Sequence, residues 1–276
     1  MPATVSNYVL DARVFLVERA DREGTDLEGM TAAEVTQFVV RQTRQRTPGA
    51  VKMLIPALRS LLRFLYVMGI TKLPLAGAVL VPPTWKASSL PRPLEPQQVA
   101  ALLGSCDRRR VGGRRDYAML KLLVRLGLRA GEVAALELGD VDWRRGEILV
   151  RGKGNRQERL PLPSDVGEAL SDYLCVRRPD LQCRRVFMSV VAPIGPLMRF
   201  GVKDVVYHAC ERAELPRIGP HRLRHTAASQ MLRSGAALTE ITQVLRHRSL
   251  RTTAVYAKID VASLRTVIEP WPGGEA

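Results

Sequence analysis

Four stretches of this 276-residue chain hold side chains that could do chemistry. They are Leu126-Gly-Leu-Arg-Ala-Gly-Glu-Val133, Gly152-Lys-Gly-Asn-Arg156, His221-Arg-Leu-Arg-His-Thr226, and Leu245-Arg-His-Arg-Ser249 followed by Thr252-Thr-Ala-Val-Tyr256. Attack on a phosphodiester builds charge on its nonbridging oxygens, and a planar guanidinium meets a pair of such oxygens with paired hydrogen bonds. Arg129 and Arg224 are suited to that task. A tyrosine hydroxyl, with a free pKa near 10, needs help losing its proton, and an imidazole such as His221 can take it near neutral pH. His221 and Arg224 stand at i and i+3, so they project from one face of a helix start, where the dipole also favours an anion. Singly, each residue has a plainer reading. Tyr256 reads as a packing residue, Arg129 as a solvated or ion-paired group, Lys153 as an exposed hairpin-turn residue, and His221 and His247 as ordinary surface histidines. Their ordered coincidence is what points to chemistry.

In order and spacing, these segments resemble the tyrosine recombinase (phage integrase) family over about residues 92–260, in either its Xer-like or its mobile-element form. The resemblance implies cutting and rejoining of DNA strands through a covalent 3′-phosphotyrosine, with no metal or nucleotide cofactor. Carried over by motif, Arg129 is the first catalytic arginine and Lys153 the hairpin residue that protonates the leaving 5′-oxygen. His221 and Arg224 are the H-x-x-R pair, His247 the second histidine and Tyr256 the nucleophile. Glu132 is expected to pair with a neighbouring base or backbone group. The chain departs from the family pattern at Leu126, where the family often has Thr, and at Arg246, where it often has Gly. Neither change removes a reacting group, but Arg246 bears on geometry or DNA contact beside His247. The implied partner is duplex DNA with an inverted-repeat target site, bound by a homo-tetramer on two DNA sites. The stripe Val261, Leu264, Val267 and Ile268 is expected to pack onto a neighbouring subunit.

Charge supports a polyanionic partner independently. Forty-two Lys and Arg against twenty-seven Asp and Glu leave a net +15, with a pI near 10.4, the balance of a nucleic-acid binder. Residues 1–34 carry seven acids and three bases, whereas 35–91 carry eight bases and no acid. Arg41, Arg44, Arg46, Arg59 and Arg63 fall in that acid-free stretch and are candidate DNA contacts. No apolar run spans a bilayer and no secretory signal opens the sequence, so a cytoplasmic protein is expected. The four cysteines show no C-x-x-C spacing, which argues against a zinc site or a disulfide framework and predicts reduced, mostly buried thiols.

The elements that must position these residues are mainly α. Helical patterning covers Ser6–Ala20, a helix opening at the Thr31/Glu34 capping box, and Pro56–Val67 after a break at Pro48-Gly49. Residues 1–85 thus read as a helical core-binding domain, joined by a Pro- and Ser-rich linker at 81–93 to a catalytic domain at 92–276. That larger domain is expected to be mixed α/β with a small antiparallel sheet. Its helices fall near Glu95–Leu103, Asp116–Leu126, Ala130–Leu136, Asp165–Val176, Lys203–Ala213, Leu223–Leu232, Leu238–Leu245 and Ser249–Ala257. A β-hairpin runs through Glu147–Val150 and Glu158–Leu162.

Three other classes compete with the recombinase reading. A metal-dependent nuclease needs clustered carboxylates, and none accompany these arginines. A type IB topoisomerase shares the nucleophile and differs in relaxing one duplex alone. A non-catalytic DNA-binding regulator has no need of all six side chains. The DNA sequence recognised is not legible, because phosphate contacts carry no base information.

Overall fold

The computed structural model describes residues 3–81, 93–152, 156–175 and 183–246. The chain divides into two compact units, Met1–Ser88 and Ser89–Ala276. Most of the expected linker, the expected helix at 249–257 and the apolar stripe beyond it lie outside the described residues.

The first unit holds α1 (Ala3–Glu23), α2 (Ala32–Gln45) and α3 (Pro48–Val67), followed by a 3-10 turn at Leu75–Ala78. Thr31 and Glu34 cap α2 reciprocally: Thr31 Oγ1 accepts from the Glu34 N–H, and the Glu34 carboxylate accepts from the Thr31 N–H, both at 3.3 Å. Helix α3 begins at Pro48, not Pro56. Thr47 caps the Ala50 N–H, and Pro48 sits in the first turn, where its missing N–H has no helical partner to lose. The Pro-Gly pair that reads as a break is therefore the helix start, and Pro56 lies inside the helix. Phe15 of α1 meets Phe38 of α2 edge-on, with ring centroids 4.9 Å apart. Val35, Leu54, Leu58, Leu62 and Leu65 close the core around them.

In the second unit, α4 (Pro96–Gly104), α5 (Val111–Arg125) and α6 (Ala130–Ala135) precede a three-stranded antiparallel sheet. Its strands are β1 (Val141–Asp142), β2 (Glu147–Arg151) and β3 (Gln157–Pro161), ordered β1-β2-β3. Then come α7 (Ser164–Leu174), α8 (Arg199–Arg212), α9 (Pro220–Arg233) and α10 (Leu238–Leu245). Helix α5 is the axis of this unit. Its Ala118, Met119, Leu120, Leu122 and Leu123 are fully buried, and it packs against both α7 and α9. It also starts earlier than its apolar periodicity announces, at Val111 instead of Asp116. A Cβ on Gly113 would lie 1.9 Å from the Asp107 carbonyl oxygen, so a glycine is what lets the preceding loop close onto this first turn. In the hairpin, Ile148 opposes Leu160 and Val150 opposes Glu158, which turns Ile148, Val150 and Leu160 into the core. Strand β1, two residues long, is too short to show a sequence period.

Among the described residues no helix is long and apolar enough to cross a membrane. Cys106 and Cys210 are buried, but Cys183 is only partly covered and Cys175 is exposed, so burial is less general than the composition suggests.

Candidate active site

Helix α5 is capped at its C-terminus by Leu126, and the chain turns through Gly127 with a positive φ of +58°. This turn is where three elements meet. A Cβ on Gly127 would stand 2.6 Å from Leu245 Cδ2 of α10 and 3.4 Å from Ala227 Cβ of α9. Two residues on, Arg129 is the N-cap of α6. Its backbone N–H donates to Glu132 Oε2 at 2.8 Å, and its Nη1 donates to Glu132 Oε1 at 2.6 Å. Its Nη2 donates to the Arg246 carbonyl at 3.3 Å. The Arg129 side chain stays 40% exposed while Glu132 is 4% exposed, so a buried carboxylate holds a guanidinium that faces solvent.

Glu132 also accepts from Arg246 Nη2 at 2.6 Å. Burial pushes its carboxyl up, but the Arg246 guanidinium and the Arg129 backbone and side-chain donors outweigh that. The net effect holds it below its ordinary value.

Helix α9 begins after Gly219 with Pro220 in its first turn, which puts His221 at the helix start and Arg224 one turn further. Arg224 is buried. Its Nη1 donates to the Gly127 carbonyl at 2.6 Å and its Nη2 to the Leu245 carbonyl, so this guanidinium is seated on the same junction as Arg129. His221 is exposed at the opening. Desolvation by the surrounding groups, then the positive charges of Arg224, Arg129 and Arg199, keep its imidazole below the usual histidine value. That shift favours the neutral imidazole, the form that can accept a proton.

Arg129, His221 and Arg224 line one cleft of about 560 Å3. Arg151, Arg199 and Lys203 share its walls, and among the described residues Glu132 is its single carboxylate. These three further cations have no place among the sequence candidates. Arg199 and Lys203 stand at i and i+4 on α8, a spacing that does mark one helix face, although nothing local says that the face looks onto His221. Arg151 is held by Asp140 at 2.5 Å, which moderates its charge. Gly152, the residue before Lys153, also lines the cleft. Lys153, His247 and Tyr256 lie outside the described residues. Among the described residues no group of three or more His, Cys, Asp or Glu side chains could hold a metal ion.

Residues 92–262 match the phage integrase family. The chain belongs to that family. It is 45% identical over 273 residues to the putative integrase/recombinase y4rA of Sinorhizobium fredii, covering 98% of this chain and 66% of that protein. It thus spans about two thirds of the length of that relative. It is 33% identical over 289 residues to the tyrosine recombinase XerD of Mycobacterium tuberculosis, covering 98% of this chain and 90% of that one. The fold is similar to that of the XerH site-specific recombinase in a post-cleavage complex with a palindromic difH substrate. There the TM-score is 0.77 at 19% identity, over 95% of this chain and 78% of that chain.

The candidate DNA contacts of the first unit fare unevenly in this integrase-family chain. Arg41 Nε is 2.7 Å from Glu18 Oε1, and Arg46 Nη1 is 2.7 Å from Asp11 Oδ1, so both are paired with acids of α1. Arg59 Nη2 donates to the Val79 carbonyl at 2.9 Å and ties α3 to the segment after it. Arg44 and Arg63 are exposed. The acidic stretch 1–34 and the basic stretch 35–91 therefore neutralise each other in part, because folding lays α1 against α2 and α3.

Proposed function

We propose that the protein is a site-specific DNA recombinase that cuts and rejoins duplex DNA through a covalent 3′-phosphotyrosine at Tyr256. The observation that carries this reading is the convergence of Arg129, Arg224 and His221 on one cation-lined cleft. Tyr256 Oη attacks the scissile phosphorus while His221 accepts its proton. Arg129 and Arg224 hold the nonbridging oxygens as negative charge grows on them, with His247 donating a further hydrogen bond. The bond from phosphorus to the 5′-oxygen breaks, and Lys153 supplies the proton that oxygen takes. Attack by a 5′-hydroxyl of another strand reverses the sequence and rejoins the DNA. All these groups belong to the chain, and no metal or nucleotide enters the scheme.

On this reading residues 1–85 form a helical DNA-binding domain and 92–276 the catalytic domain. The partner is duplex DNA with an inverted-repeat target, and four copies assemble on two sites. The names of the XerD and integrase/recombinase relatives support the same activity. The test is to footprint the purified protein on DNA, then incubate it with a nicked duplex built on the protected site. A covalent protein–DNA adduct and joints between two DNA molecules are expected. Tyr256→Phe loses one hydroxyl and no charge, so it abolishes the adduct at nearly unchanged affinity. An adduct of undiminished yield from that variant would sink the assignment.

A further inference from the structure

Arg246 closes α10 in the left-handed region, with φ 54° and ψ 48°. A residue with a Cβ is strained there, and glycine is the usual occupant. Its side chain does not turn to solvent. It is 5% exposed, with Nη2 on Glu132 Oε2 at 2.6 Å and Nη1 donating to the Val244 carbonyl at 3.0 Å. Its Nε is buried with no hydrogen-bond partner among the described residues. Its own carbonyl accepts from Arg129 Nη2.

We propose that Arg246 is a positioning residue for Arg129, acting through the shared Glu132 carboxylate and through its own backbone carbonyl. The inference rests on the recombinase reading. Glu132 grips Arg129 Nη1 with one oxygen and Arg246 Nη2 with the other, while the Arg246 carbonyl holds Arg129 Nη2. Both terminal nitrogens of Arg129 are therefore fixed from behind. An arginine has five N–H donors in a rigid fork, so Nε and one hydrogen on each Nη remain for an anion in the cleft. The direction of the Arg246 carbonyl follows from its left-handed backbone, and the buried ion pair holds an arginine in that conformation. Glycine would adopt the same backbone without the anchor, and the carbonyl behind Arg129 would be free to swing.

The test uses the full-length protein and nicked duplexes built on the footprinted site. Arg246→Gly is expected to slow single-turnover adduct formation about ten- to hundredfold, the cost of a small misplacement of a reacting group, at unchanged DNA affinity. Arg246→Lys should recover part of the rate. A methylphosphonate at the scissile position carries one nonbridging charge fewer and asks less of Arg129, so the Arg246→Gly penalty should shrink on that substrate. An equal penalty on both substrates, or a loss of affinity that accounts for the loss of rate, would overturn the positioning role. Thermal unfolding of Arg246→Gly, Glu132→Gln and the double variant tests the shared carboxylate without any reaction. Losses smaller than additive are expected, and additive losses refute the bridge. A wild-type protein that forms no adduct refutes the recombinase reading and the positioning role with it, while the thermal cycle still judges the bridge.

Discussion

Gly127→Ala probes the junction on which both arginines are seated. A methyl group there meets two separate penalties. The positive φ of +58° costs an L-residue about 1–2 kcal/mol. The new Cβ would also lie 2.6 Å from Leu245 Cδ2, and overpacking of a filled core costs about 1–3 kcal/mol. Reduced freedom of the unfolded chain returns about 0.4–1 kcal/mol. The net loss is about 1–4.6 kcal/mol, which for a unit of this size lowers the melting temperature by about 2–18 °C. Gly146 supplies the control: its φ is +64° but nothing lies within 4 Å of the Cβ position. Gly146→Ala should suffer only the backbone penalty, so calorimetry should separate the two variants by about 1–3 kcal/mol. The Gly127→Ala/Leu245→Ala double variant should lose less than the two single losses added together. If Gly127→Ala melts no lower than Gly146→Ala, the junction yields easily and the tight seating of Arg129 and Arg224 is refuted.

Three further outcomes follow from the site and the first unit. A 5′-bridging phosphorothiolate gives a leaving group that needs no proton. It should restore cleavage by Lys153→Ala by orders of magnitude and rescue Arg129→Ala or Arg224→Ala little; the opposite pattern removes Lys153 as proton donor. His221 is held low by desolvation and then by cations that include Arg199, and the base must be unprotonated to act. The rate therefore falls as pH drops through that lowered pKa. Arg199→Ala should move this acid limb to higher pH in single-turnover profiles, and an unmoved limb refutes the coupling. Arg44→Ala and Arg63→Ala should each reduce the slope of log K against log salt by about 0.9. Arg41→Ala and Arg46→Ala, whose charges are already paired, should leave the slope in place and lower the melting temperature instead; equal slope changes from all four would contradict the pairing.

Where a signal was local, the residues disclosed it. The Thr31/Glu34 cap, the bounds of α10 and the H-x-x-R pair on one helix face all depend on neighbours within about a turn. The start of α3 was obscured because Pro48 and Gly49 break a helix in its interior yet suit its first turn, and the start of α5 because Gly112 and Gly113 hide its period. The meeting of Arg129 with Arg224 depends on α5 and α9 packing across almost a hundred residues of chain, as the bond from Arg224 to Gly127 shows. Only the resemblance of the motifs to a family anticipated that. Arg151, Arg199 and Lys203 were missed for the same reason: which face of α8 or β2 meets the cleft is decided by tertiary packing. The acids opposite Arg41 and Arg46 lie 23 and 35 residues away, beyond the reach of a local count of charge.

The small sheet bears on how the protein behaves when crowded. A three-stranded ribbon leaves two borders, and an unguarded border is a template onto which another chain can add a strand. Here one border is the two-residue β1. The other, β3, shows Gln157, Glu158 and Arg159 to solvent and ends in Pro161, charges and an imino acid that oppose strand addition. Copies gathered at high local density therefore meet guarded borders when they pair sheet edge to sheet edge, and a preparation concentrated without its partner should resist fibrillar aggregation through these edges.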